Sequence, residues 1–293
     1  MSEWLRRLKP VIASGSLTVL ALVGLEWGLR LAGVPDPGLY AGDPASVWWL
    51  RPSLDRELAD PLTGRHFRVR TTPEGLRGPS PPPDGPWTLA LGCSTTFGWG
   101  VDREEAWPAV LADLSDAPVV NGGQPGWSTH QAVAHLRNTF DDGPSRVILG
   151  FIIRDAWRGG RADRDARPTP WVRTTQLGRL LRRSPGPTAS PVDVPTVGEF
   201  RVSPEDFVLN LSALMDQVAP AAVVLLNFPH RHATPEHSAA LEALAEAQGV
   251  PLVAPVLDPS AYFAADPVHL NPSGHRQLAQ IMATLGAAPT APR

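Results

Sequence analysis

The sequence predicts an α/β protein, a parallel sheet of about five strands with helices on both faces. Two observations carry this reading. Five short apolar runs, each the length of a buried strand, alternate with helix-like segments from Trp87 to the C-terminus. The runs end in glycine-rich or polar turns, and in such sheets ligands bind at the carboxyl ends of strands. A third observation lies outside the sheet: an N-terminal apolar stretch, set behind basic residues, predicts a membrane helix.

The N-terminal segment, residues 1–9, carries Arg6, Arg7 and Lys9. Residues 10–34 follow as an apolar run broken only by Glu26 and Arg30. About 20 apolar residues span a bilayer as a helix. Glu26 and Arg30 stand four apart and can pair near the interface, which lowers their cost. Basic residues before the run predict a cytoplasmic N-terminus, a single-pass anchor in the cell membrane and an extracytoplasmic body. A cleaved signal peptide and an interfacial helix are the alternatives; the run lacks a clear A-x-A site. Residues 35–86 read as a membrane-proximal linker. Within it, "HFRVRTTPEGLRG" (66–78) suggests a short strand and turn, and "PSPPPDGP" (79–86) an extended spacer.

The main domain is expected over 87–290. "WTLALG" (87–92) is a buried strand, and 103–115 a helix with Pro108 in its first turn. "APVVNGG" (117–123) is a strand entering a glycine-rich loop, followed by a serine-capped helix over 128–140. "RVILGFII" (146–153) is the third strand. Residues 156–200, rich in Arg, Pro, Gly and Thr, interrupt the alternation and are expected to form an insertion or lid. Ser203, Pro204 and two acids open a helix over 203–218. A strand over 221–229, a helix over 234–249, a strand over 250–256 and a helix over 271–286 complete the pattern.

Composition excludes several classes. The net charge of −3, with no long basic block, gives no reason to expect nucleic acid. A single cysteine, Cys93, rules out an intrachain disulfide and any multi-cysteine metal site. No cofactor and no metal are expected, and the oligomeric state is left open.

The strand ends hold the chemistry. Ser94 ends the first strand, "NGGQPG" (121–126) the second and "IIRDAW" (152–157) the third, while "DPVHLNPSGH" (266–275) follows the last. A serine hydroxyl needs a base to take its proton. His269 can serve, because imidazole titrates near neutrality. Asp266, three residues earlier, can hold its tautomer. Oxyanion donors are available from the N–H groups of Ser94 and Gly126 and from a side chain on the third loop. Taken segment by segment, a turn serine and a surface histidine on a capping loop are the plainer readings.

Together, the segments resemble the ordered blocks of the SGNH/GDSL hydrolase superfamily: "LALGCSTTFGWGV" its nucleophile block, "EEAWPAVL" the helix after it, "VVNGGQPGWSTHQ" its glycine block, "VILGFIIRDA" its third block and "DPVHLNPSGHRQLA" its Asp-x-x-His block. The resemblance covers about residues 66–286, and the anchor followed by "GLRG" is similar to membrane-anchored bacterial members. It implies a three-layer α/β/α, flavodoxin-like domain and a serine esterase. The implied roles are Ser94 as nucleophile, His269 and Asp266 completing a triad, and Gly126 as an oxyanion donor. The sequence departs from the family twice. Cys93 stands where the family usually has Asp before the serine. Arg154 stands where it usually has an oxyanion-hole Asn, with the expected Asp155 following. Arginine is a donor and a cation, so Arg154 can hold an oxyanion or a substrate carboxylate, pair with Asp155, or fill the pocket.

The expected substrates are O-acetyl or other acyl esters of envelope carbohydrate or lipid. An acyltransferase to a sugar hydroxyl, using the same triad, is one alternative. A non-catalytic binding or scaffold protein is another, kept open by Arg154. Further substrate-binding candidates are Trp99 and Trp127 as an apolar or sugar-stacking wall, with core packing the plainer role, and Asp155. His230 and His232 are expected at the rim, with no third metal ligand evident. Cys93 is expected to be buried and inert, and His275 to pack.

Overall fold

The structure, a computed structural model, describes residues 2–32, 38–43, 47–115, 117–136, 143–159, 162–165, 175–181, 198–228 and 235–286. The chain divides into two compact units, one of residues 1–42 and 169–188, the other of 43–168 and 189–293.

The smaller unit is built on α1 (Ser2–Leu31). Its stretch Ile12–Leu31 is long and apolar enough to cross a membrane, a test that a signal sequence near an N-terminus also passes. Leu17, Leu20, Val23 and Trp27 all lie exposed along it. The expected pair forms, with Arg30 Nε donating to Glu26 Oε1 at 2.7 Å. Glu26 does more than pair. Its carboxylate accepts the backbone N–H groups of Gln176 and Leu177, both at 2.9 Å. These are the first residues of a short helix, Gln176–Leu181, in the same unit. The orphan amides of a helix N-terminus thus find their acceptor in a carboxylate of the apolar helix.

The chain leaves the smaller unit within β1 (Tyr40–Asp43). In the larger unit, β2 (Val47–Leu50) precedes an antiparallel hairpin of β3 (Asp55–Ala59) and β4 (His66–Arg70). Alternation in β4 buries Phe67 and Val69 and leaves His66, Arg68 and Arg70 outside. Leu50, Leu76 and Arg77 are buried too. From Asp43 onward, the stretch read from sequence as linker is therefore part of the larger unit's packing.

Five parallel strands form the sheet: β5 (Thr88–Gly92), β6 (Val119–Gly123), β7 (Arg146–Gly150), β8 (Ala222–Leu226) and β9 (Leu252–Val253). Their spatial order is β6-β5-β7-β8-β9. The first strand of the sheet lies second in space, so the winding reverses beside it. A crevice opens at the carboxyl end of such a strand. The register aligns Gly92 with Gly123 on one side and with Gly150 on the other. All five residues of β5 and of β6 are buried, as strands covered on both faces require.

The helices in chain order are α2 (Ser94–Phe97), α3 (Trp107–Asp113), α4 (Thr129–Leu136), α5 (Ile152–Asp155), α6 (the Gln176–Leu181 helix), α7 (Pro204–Val218), α8 (Pro235–Gln248) and α9 (Pro272–Gly286). Helix α3 packs on α9, α4 on α7 and α7 on α8. Ser203 caps α7 by accepting the Asp206 N–H at 3.1 Å, with Pro204 in the first turn.

Three expectations are corrected. The third strand stops at Gly150, and its "II" belongs to α5, whose last residue puts an acid into the interior. The last sheet strand is two residues long, not seven, because it pairs only with the end of β8. Asp266 and His269 lie not in a loop but on β11 (Asp266–Leu270), which pairs antiparallel with β10 (Tyr262–Phe263).

Candidate active site

Ser94 is the first residue of α2, directly beyond Cys93 and the end of β5. The turn is tight: a Cβ on Gly92 would run into Thr96 Oγ1 and lie 2.5 Å from Gly150 O. A Cβ on Gly123 would stand 2.6 Å from Phe97 Cα. Glycine at the ends of both strands lets the α2 backbone sit directly on the sheet. Ser94 is 9% exposed, and its Oγ lies 2.8 Å from His269 Nε2.

His269 Nδ1 lies 2.5 Å from Asp266 Oδ2, while Asp266 Oδ1 accepts the N–H groups of Val268 at 2.9 Å and His269 at 3.2 Å. Burial pushes the Asp266 carboxyl up. The hydrogen bond and charge of His269, with the two backbone N–H groups, outweigh it and hold the carboxyl below its usual range. An ionised Asp266 requires the proton on His269 Nδ1, which leaves Nε2 to accept the Ser94 hydroxyl. Asn271 fixes this strand to α9. Its amide donates to Ser260 O and Tyr262 O, and its Oδ1 accepts the Gly274 N–H.

The glycine block makes a turn from Gln124 to Trp127, closed by Trp127 N–H donating to Gln124 O at 3.1 Å. Pro125 and Gly126, the latter at φ +86°, suit the two central positions of a type II turn. A Cβ on Gly126 would lie 3.5 Å from the Trp48 ring and 3.8 Å from Arg154 Nη2. Arg154 therefore reaches the glycine block, and its guanidinium also lies 4.9 Å from the centre of the Trp157 ring. Arg201 donates to Gly126 O at 3.0 Å and pairs with Asp163 at 2.7 Å, both side chains 12% exposed. Ser128 Oγ also donates to Asp163, at 2.6 Å.

Several candidates stand elsewhere than expected. Trp127 is 2% exposed and donates Nε1–H to Trp48 O at 2.7 Å, so it presents no wall. Trp99 packs edge-on against Phe67 and donates to Asp60 at 3.2 Å, tying the β3–β4 hairpin to the loop after α2. The tryptophans beside Gly126 and Arg154 are Trp48 and Trp157. Asp155 does not pair with Arg154. It is fully buried and accepts the N–H and hydroxyl of Thr129, the first residue of α4. Burial pushes its carboxyl up to about 7, against the pull of those hydrogen bonds and of Arg201. His230 and His232 lie outside the described residues.

His275 packs as expected, with Nδ1 accepting the Trp107 N–H at 3.2 Å. Burial, then the charges of Arg77 and His269, push it down to about 3, so it is neutral at any working pH. Cys93 is buried with Sγ 3.2 Å from Thr95 Oγ1. Among the described residues, no group of three or more His, Cys, Asp or Glu side chains is placed to hold a metal ion.

Sequence reasoning missed Arg77, Asn121 and the Arg201–Asp163 pair. "GLRG" and "NGG" contain the first two, but nothing in either string says where the side chains point. Asp163 lies inside the insertion and Arg201 just beyond it, and the two come together only through the fold.

The chain is of a class that its sequence family defines, a hydrolase of ester bonds, built here on a parallel α/β sheet. Residues 90–277 match the sequence model of the GDSL-like Lipase/Acylhydrolase family, and the chain belongs to that family. No curated protein matches it. Among solved structures it is similar to an inhibitor-bound aryl esterase from M. smegmatis (17% identity, 69% of this chain and 98% of that chain, TM-score 0.43). It is also similar to a catalytic mutant of an acetylxylan esterase from Geobacillus stearothermophilus (16%, 69% and 94%, 0.46). A third is an active-site mutant of a family two carbohydrate esterase from Clostridium thermocellum (11%, 70% and 64%, 0.47).

Proposed function

We propose that the protein is a serine esterase in which Ser94 attacks the ester carbonyl, His269 takes its proton and Asp266 holds the imidazole. The observation that carries this reading is the continuous row Ser94 Oγ, His269 Nε2, His269 Nδ1, Asp266 Oδ2, with 2.8 and 2.5 Å links. The Ser94 proton passes to Nε2 as the Oγ–carbonyl bond forms. The same proton then goes to the departing alkoxide as the ester C–O bond breaks, leaving acyl-Ser94 and an alcohol. Water attacks the acyl group by the same route and regenerates the serine.

The negative oxygen of each tetrahedral intermediate would be met by the N–H groups of Ser94 and Gly126 and by the Arg154 guanidinium. Trp48 and Trp157 would wall the acyl or alcohol side. With α1 as a single-pass anchor and the larger unit outside the cytoplasm, the substrates would be acyl esters of envelope carbohydrate or lipid.

The test is fluorophosphonate labelling of the full chain in detergent, located by intact mass. Acetate release is measured with and without a sugar acceptor. Labelling of the wild type that disappears in Ser94→Ala, with free acetate as the main product, is the expected result. No adduct in the wild type overturns the nucleophile assignment. Acetylated sugar exceeding free acetate overturns hydrolysis in favour of acyl transfer.

A further inference from the structure

Arg77 is fully buried, yet every hydrogen bond of its guanidinium ends on a backbone carbonyl. Nη1 donates to Phe97 O and Gly98 O, and Nη2 to Val101 O, each at 2.5 Å; Arg68 O is at 3.4 Å. The guanidinium carbon lies 4.1 Å from the centre of the Phe97 ring. Its backbone is fixed as well, Arg77 N–H donating to Asn121 O at 3.0 Å. Asn121, on β6, donates from Nδ2 to Thr96 O at 3.1 Å and Phe97 O at 3.2 Å. Two side chains from outside α2 thus take up carbonyls at its carboxyl end and in the loop beyond.

Those carbonyls need the help. A helix of four residues is a single turn, whose nucleation in isolation is unfavourable. Its terminal carbonyls have no partner within the turn. Left bare in the interior, each would cost about 1–3 kcal/mol. A cation at a helix carboxyl end also opposes the backbone dipole favourably. Burial pulls the guanidinium down to about 9, still charged at neutral pH.

We propose that Arg77, assisted by Asn121, is a positioning residue for the nucleophile, clamping the carboxyl end of the one-turn helix whose first residue is Ser94. The inference rests on the serine-esterase reading above. Arg77 is fully buried, out of reach of a bound substrate, so it acts on the rate of attack and not on substrate affinity. Displacing a reacting group by about 1 Å can cost about 100-fold in rate.

The test uses the full chain in detergent. Arg77→Lys, Arg77→Met and Asn121→Ala are compared with wild type in p-nitrophenyl acetate hydrolysis and in fluorophosphonate inactivation. End-point adduct mass counts the active sites, which separates the folded fraction from the rate per site. The expected result is a fall in kcat and in the inactivation rate per site of about 100-fold for Arg77→Met and about 10-fold for Arg77→Lys, with KM within about twofold. Asn121→Ala should give the same split to a smaller degree, and it decides the question if Arg77→Met yields no folded protein. Lower melting temperatures with wild-type rates per site would overturn the proposal and leave Arg77 as stability alone. A wild type that takes no label is a separate outcome, which overturns the esterase reading and with it any role for Arg77 in positioning a nucleophile.

Discussion

Helices α2 and α5 are both single turns, and they follow neighbouring strands paired glycine to glycine, Gly92 with Gly150. They are secured by different kinds of group, one a cation and the other a buried carboxyl. Helix α2 holds no charged side chain of its own and is clamped by a cation from the segment before β5, its carbonyls donated to by Arg77. Helix α5 ends in its own carboxyl group, Asp155, which is donated to by Thr129 at the start of α4. Arg77 stays charged at neutral pH, whereas Asp155, at about 7, changes its charge there. The side of the crevice that carries Ser94 is thus insensitive to pH in its supports, and the side that carries Arg154 is not.

The largest contrast should come from the two paired glycines. Gly92→Ala would force its Cβ onto Thr96 and the Gly150 carbonyl, neither of which can give way without moving α2. We expect a loss of about 3 kcal/mol or more, read as loss of soluble folded protein on purification. Gly150→Ala would place its Cβ 3.3 Å from Leu226 Cδ2 and 3.5 Å from Thr96 Oγ1, which a small side-chain shift relieves. It should cost about 1 kcal/mol or less in denaturant unfolding. Equal damage from the two would break the contrast.

Asp155→Asn comes next. A carboxyl whose folded pKa is raised to about 7 from 3.8 favours the folded state while protonated. That contribution is complete below about 4 and is lost as pH rises from about 4 through 7, in total on the order of a few kcal/mol. His275, lowered from 6.5 to about 3, has the opposite sign: its share grows as pH rises over an overlapping window, from about 3 to 6.5. The two offset each other in the wild type. Asp155→Asn removes the first alone, so its melting temperature relative to wild type should rise between pH 5 and pH 8. A difference that stays flat across that range would mean that Asp155 does not titrate there.

The smallest effect on stability concerns Arg154, whose change is read in rate. If its guanidinium meets the developing oxyanion, Arg154→Ala should slow fluorophosphonate inactivation per site by about 100-fold or more. Faster inactivation would mean that the arginine obstructs the site, and would set α5 apart from α2 as a gate.

The strands are legible because apolar runs ending in glycine leave few alternatives, and the row at the site because the serine and the glycine turn follow strand ends and Asp-x-x-His is a recognisable spacing. The rest was hidden for definite reasons. Trp127 reads as a wall candidate because it follows an active loop, yet its indole N–H had to find the Trp48 carbonyl, and that pulled it inside. Asp155 reads as a polar residue of the third block, but the end of β7 at Gly150 turns it toward Thr129. Arg77 lies in a stretch read as linker, and its acceptors are carbonyls, which leave no trace in a string of side-chain letters. His269 and Asp266 read as a motif and not as part of a strand, because β11 pairs with a two-residue partner too short to carry periodicity.

Glu26 bears on how the N-terminal helix can be processed. Its carboxylate is the acceptor for two amides roughly 150 residues downstream, at Gln176 and Leu177. A peptidase cutting after the apolar run would carry that acceptor away and leave both N–H groups to water. Maturation by cleavage would therefore remove the cap of a short helix in the insertion. Retention of the helix keeps Glu26 as the acceptor for those two amides.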